Sequence, residues 1–128
     1  RAAEVCLCPA DVEQNSIFNY AVPQENNNRT DTRKLILHDE NYQLTVSGEP
    51  RFEFGVSHYT IADLHAAPHA YQLTPLPETI VTLDLKQRGL GTGSCGPQTL
   101  EQYELKEKEY DFSFSFKVEK SSSEEFEK

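Results

Sequence analysis

The chain has 128 residues, a net charge of −9 at neutral pH, 37% hydrophobic residues and three cysteines, a length that suits one domain or part of one. That acidic balance excludes a nucleic-acid surface, which depends on Lys and Arg neutralising phosphates. No apolar run approaches the roughly 20 residues of a membrane-crossing helix, so neither nucleic acid nor membrane is an expected partner.

Cys6, Cys8 and Cys95 cannot all pair within one chain, which favours a reducing compartment and a cytoplasmic location. Cys6-x-Cys8 lacks a second ligand pair at structural-site spacing, so no metal site is expected there. Asn28-Arg29-Thr30 matches the glycosylation triplet and matters only in a secreted chain. The amino end, Arg1-Ala-Ala-Glu-Val, has neither an initiator methionine nor the make-up of a signal peptide. The expectation is a piece of something longer.

Residues 1–16 carry no strong periodicity and read as an irregular lead-in. Ile17, Phe18, Tyr20 and Val22 predict a short strand ended by Pro23. Residues 24–33 are polar and rich in Asn and Asp, whose side chains bond nearby backbone and favour turns. They read as a solvated loop, or as an ordered segment in which Glu25, Asn26, Arg29 and Arg33 make hydrogen bonds. Leu35, Ile36 and Leu37, then Tyr42, Leu44 and Val46 in alternation, predict a hairpin turning at Asp39-Glu-Asn41. After a break at Gly48-Glu-Pro50, Phe52, Phe54 and Val56 predict the next strand of a meander. Thr60-Ile-Ala-Asp63 has the cap and early acid of a helix start, and Pro68 stops the helix. His65 and His69 straddle that proline and lack the glutamate of a zinc-protease pattern. With His58, they read as surface or packing residues.

Ile80, Val81, Leu83 and Leu85 form a buried-looking strand that empties into Arg88-Gly-Leu-Gly-Thr-Gly-Ser-Cys-Gly-Pro97, where four of the six glycines of the chain lie. Such a loop is either a tight corner or the wall of a binding site. It has no Gly-Lys-Ser/Thr element and no long helix to receive a phosphate. Further on, Tyr110, Phe112, Phe114, Phe116 and Val118 alternate with polar residues in the clearest period-two pattern of the chain. That row reads as core, or as an interface buried against another sheet. Residues 120–128 are expected to be a disordered tail. About seven short strands and one small helix predict an all-β, antiparallel sandwich over residues 17–119.

Tyr59-Thr-Ile-Ala-Asp-Leu-His-Ala-Ala-Pro-His69, the strand from Thr79 to Arg88, Gly-Leu-Gly-Thr-Gly-Ser-Cys-Gly-Pro97 and the closing strand from Tyr103 to Phe116 together resemble the carboxyl end of the large β-galactosidases of glycoside hydrolase family 2. Pro23-Gln-Glu-Asn-Asn-Asn-Arg-Thr-Asp-Thr-Arg33 is similar to a segment of the same last domain. The resemblance spans most of residues 17–118, and it implies half of a galactose-mutarotase-like supersandwich (the second half of domain 5). It also implies that the catalytic glutamates lie in a barrel domain upstream, with the Mg and Na or K ions of the family. This chain would then hold no catalytic residue, no metal and no cofactor of its own. Its partners would be the remaining domains and, in the parent, a β-galactoside such as lactose. Missing partner strands would leave an apolar edge open to self-association. Gly93, Ser94, Cys95 and Gly96 would stand at the rim of the sugar pocket. Some family members have Trp where Cys95 stands, and a thiol offers far less flat apolar area for stacking. The alternative is a free carbohydrate-binding or small-subunit module of a split enzyme.

Overall fold

The computed structural model describes residues 10–15, 22–24 and 26–121. The fold is all-β and mainly antiparallel, as expected, with four strands: β1 (Arg29–His38), β2 (Tyr42–Ser57), β3 (Ile80–Asp84) and β4 (Ser113–Lys120). They form one sheet in the order β1-β2-β3, with β4 also paired to β2. Helix α1 (Val12–Asn15) is a single turn, and α2 (Ile61–Ala66) is the short helix the sequence announces. The expected strand at residues 17–22 lies outside the described residues, save for Val22. So do Cys6, Cys8, Glu25 and the tail beyond Ser121.

Two expectations need correction. Gly48-Glu-Pro50 does not end a strand, because β2 runs through it for 16 residues. The alternation never loses phase there: Val46, Phe52 and Phe54 are all buried and all even-numbered. Glycine and proline suggested a turn, while the period of two on either side was continuous. The merger turns two of the expected strands into one, and four strands stand among the described residues. The polar segment 24–33 is likewise not one loop, since β1 already begins at Arg29. Asn27 in its early part and Asp31 within β1 have φ values of 61° and 57°, a conformation that Asn and Asp tolerate better than most residues.

The turn from β1 to β2 is closed by Asp39, whose Oδ1 accepts the backbone N–H groups of Asn41 and Tyr42, each at 2.7 Å. Those bonds stabilise the charged form and hold the Asp39 carboxyl below the usual range. The side chain therefore specifies the turn directly.

The chain falls into two compact units, residues 1–28 with 54–82, and residues 29–53 with 83–128. In the first, Thr60 and Asp63 form a capping box on α2, which buries Leu64. Thr82 Oγ1 accepts the Gly55 N–H at 3.1 Å, an approach that a side chain at Gly55 would obstruct. His58 Nδ1 lies 3.0 Å from the Glu78 carbonyl oxygen, and His69 stacks on Tyr71 at a centroid distance of 5.3 Å. His65 is exposed on α2. These histidines are packing and surface residues, in keeping with their sequence context.

The second unit buries Leu35, Val46 and Phe52. Its β2–β4 pairing is antiparallel in a register that sets Leu44 opposite Val118, Val46 opposite Phe116 and Gly48 opposite Phe114. Directly opposed residues share a face. A Cβ at Gly48 would come within 2.6 Å of Phe52 Cδ1 and 3.4 Å of Phe112 Cε2. Gly48→Ala should therefore force the Phe52 ring aside and cost about 1–3 kcal/mol. In urea unfolding the midpoint should fall while the slope stays constant.

Candidate functional site

The strand into the glycine-rich loop is half-buried throughout, rather than buried as its composition suggested. Beyond it the chain leaves and returns within a short span. Gly89 N–H donates to the Tyr103 carbonyl at 3.0 Å, and an isolated antiparallel bridge joins Thr92 to Gln98. Gly91 reverses the direction at a φ of 122°, and Gly93 adopts 69°. Both lie in the region that favours glycine. A Cβ on Gly91 would meet backbone atoms of Pro97, Gln98 and Thr99 at 2.7–2.8 Å, so no rotamer change could relieve it. On Gly93 it would collide with the Gln98 side chain.

Two side chains fasten the neck of this loop. Thr99 is only 7% exposed, and its hydroxyl lies 2.9 Å from the Gly89 carbonyl oxygen and 2.8 Å from that of Gly91. Its single proton can serve one of them at a time. Arg88 donates Nε–H to Glu104 Oε2 at 2.9 Å, Nη2–H to Glu104 Oε1 at 2.8 Å and Nη1–H to the Gly91 carbonyl at 3.1 Å. The fork geometry is what arginine supplies and lysine does not. The bond from Arg88 is the main cause holding the Glu104 carboxyl below its usual range.

The four residues singled out from sequence, Gly93, Ser94, Cys95 and Gly96, follow one another at the tip, and all are exposed. Cys95 is a free thiol. Ser94 N–H lies 3.4 Å from Thr92 Oγ1, and a Cβ on Gly96 would meet nothing within 4 Å. The neighbouring Leu90 is almost fully exposed. The structure thus groups the predicted tip residues on one projection of the second unit. Arg88, Thr99 and Glu104 were not foreseen. The ion pair spans 16 positions, and no local pattern announces it.

The second feature is the aromatic row, for which the expected inward burial is not observed. Phe116 is 57% and Val118 67% exposed, and Tyr110 and Phe114 are exposed too. Phe114 stacks edge-on against Phe116 at 5.1 Å and tilts against Phe112 at 5.3 Å. Those ring contacts run along one strand, and no second layer covers them among the described residues. In the whole described set, five apolar side chains are buried and thirteen large ones are exposed. Apolar residues exposed singly mean little, but Phe114, Phe116 and Val118 lie together on β4, and a contiguous apolar row of that kind is what marks a contact face.

Carboxylates with displaced ionisation, Asp39, Glu104 and Glu107, all shift downward, which is opposite to what a general acid needs. Glu107 owes its shift first to the O–H of Tyr110, which it accepts at 2.8 Å. Among the described residues no three His, Cys, Asp or Glu side chains converge as metal ligands. None of the described helices is long and apolar enough to cross a membrane.

An all-β domain with a braced glycine-rich loop and an open aromatic face is the class that the geometry defines. Residues 1–116 match the family model described as β-galactosidase small chain, and the chain belongs to that family. It is similar to the β-galactosidase of Staphylococcus xylosus, with 32% identity over 74% of this chain. The Actinobacillus pleuropneumoniae β-galactosidase is 34% identical over 80% of it, and that of Halalkalibacterium halodurans 34% identical over 91%. These matches cover 10%, 10% and 12% of the respective relatives, so the chain spans about a tenth of their length.

Two outcomes follow for the loop. Gly91→Ala should cost on the order of 1–3 kcal/mol through strain, whereas Gly96→Ala should be close to neutral; thermal unfolding of both variants checks this. Because the Glu104 carboxyl is depressed in the folded state, its contribution is present above the ordinary glutamate range and lost as pH falls through the folded value. Amide protection of residues 89–99 should drop with acidification, and Glu104→Gln should remove that pH dependence.

Proposed function

We propose that this chain is a carboxyl-terminal portion of a cytoplasmic β-galactosidase of glycoside hydrolase family 2. It corresponds to the second half of the last domain, with its sandwich body at residues 17–119. The parent would hydrolyse terminal β-D-galactosides such as lactose. The observation that carries the reading is the family match over residues 1–116, together with relatives of which the chain spans about a tenth.

Retaining glycoside hydrolysis needs two carboxyl groups about 5–5.5 Å apart, one nucleophile and one acid/base with a raised pKa. We read the chain as holding neither: the downward shifts described above are opposite to what the acid/base residue needs, while the nucleophile's place outside this chain rests on the family resemblance alone. In this reading the reactive acids and the ions of the parent belong to its other domains, and this piece acts by position. The open β4 face would pack on those domains, and the loop tip from Gly93 to Gly96 would form part of the rim around the sugar. The description of the family as a small chain favours a second arrangement, in which the same domain is a separate subunit of a split enzyme. With that face uncovered, the isolated piece would self-associate.

Mixing the chain with a parent enzyme truncated before Arg1 should restore cleavage of a nitrophenyl β-galactoside, and neither component alone should turn it over. Turnover by the purified chain alone would refute the assignment. In the full-length enzyme, Cys95→Trp should shift KM for lactose severalfold while kcat stays within about twofold, since an indole adds stacking area. An unchanged KM would make the tip merely architectural.

A further inference from the structure

We propose that Arg88 is a positioning residue for galactoside binding, with Thr99 as its buried counterpart. Together they aim the Gly93–Gly96 tip by gripping the carbonyl of Gly91 from two sides. The inference rests on the reading of that tip as a pocket rim and names the residues that set its orientation.

The geometry behind it is specific. Gly91 is where the loop reverses, at a φ of 122°, so a small rotation there swings everything beyond it. Its carbonyl oxygen lies 3.1 Å from Arg88 Nη1 and 2.8 Å from Thr99 Oγ1. Neither partner is free to wander. Thr99 is buried, and Arg88 is anchored by both oxygens of Glu104. Past Gly91 the restraints thin to the Thr92–Gln98 bridge, the Ser94 N–H contact and the packing of Gly93 on Gln98. The tip therefore inherits its direction from the neck. A surface ion pair adds little stability of its own, yet this one occupies three of the five guanidinium donors in a fixed arrangement. Geometry, rather than energy, is what it contributes. Displacements of order 1 Å at a substrate contact are enough to cost up to about 100-fold in rate or affinity.

The test is steady-state kinetics of the full-length enzyme on a nitrophenyl β-galactoside. Arg88→Ala and Thr99→Val should each raise KM about tenfold with kcat within about twofold, Arg88→Ala at an unchanged thermal midpoint and Thr99→Val with a modest fall in it, because the carbonyls of Gly89 and Gly91 lose a buried donor. Thr99→Ser should restore the wild-type KM, because it returns the hydroxyl. Arg88→Lys should stay near Arg88→Ala, because an ammonium cannot span the carboxylate and the carbonyl at once. Should Arg88→Ala fail to fold, Thr99→Val against Thr99→Ser decides the matter. An unchanged KM in the Arg88 and Thr99 variants, alongside a shifted KM in Cys95→Trp, overturns the positioning role and leaves the rim reading standing. If none of these variants moves KM, the rim reading fails as well. A KM rise accompanied by a lowered thermal midpoint and not rescued by Thr99→Ser also overturns the proposal, since it reports general loosening.

Discussion

Much of the second unit depends on one close approach, that of the Phe52 ring to the bare backbone of Gly48, with Phe112 also close to that glycine. It is possible only because Gly48 has no side chain. Once made, it fixes which residues of β2 face inward and which residue of β4 lies opposite each of them. A shift of one residue would turn Val46 and Phe52 outward and present Gln43 and Thr45 instead. The register is therefore specified by packing as well as by hydrogen bonds. The aromatic row on β4 is displayed on the same face as a consequence.

That face is also where the fold stops short of closing on itself. Val46 is 0% exposed, whereas Phe116, its neighbour across the ladder, is 57% exposed. The gradient from covered to bare across one strand spacing is what the margin of a larger hydrophobic layer looks like. The small buried core and the many exposed apolar residues agree with relatives of which the matched part makes up about a tenth.

The sequence was most legible where chemistry is local. The capping box of α2, the Asp39 turn and the period of β4 could all be read directly, since each depends on residues within a few positions. Gly48 and Pro50 break the composition of β2 without breaking its phase, so turn-forming residues there do not end the strand. The exposure of β4 could not be read at all: alternation says that one face is apolar, and says nothing of what covers it. The loop divides in the same way. Its glycines advertised a special backbone, while Glu104 pairing with Arg88 and Thr99 folding under Gly89 and Gly91 arise only when distant parts of the chain meet.

The loop keeps its fastenings and its outward surface in separate places. Arg88, Thr99 and Glu104 hold the neck, and Ser94 and Cys95 are borne beyond it with little to constrain their identity. A lineage could exchange the residues at those two positions, thiol for indole or hydroxyl for amide, and the hoop carrying them would keep its form. Variation in what such a loop greets can thus accumulate without endangering the architecture beneath it.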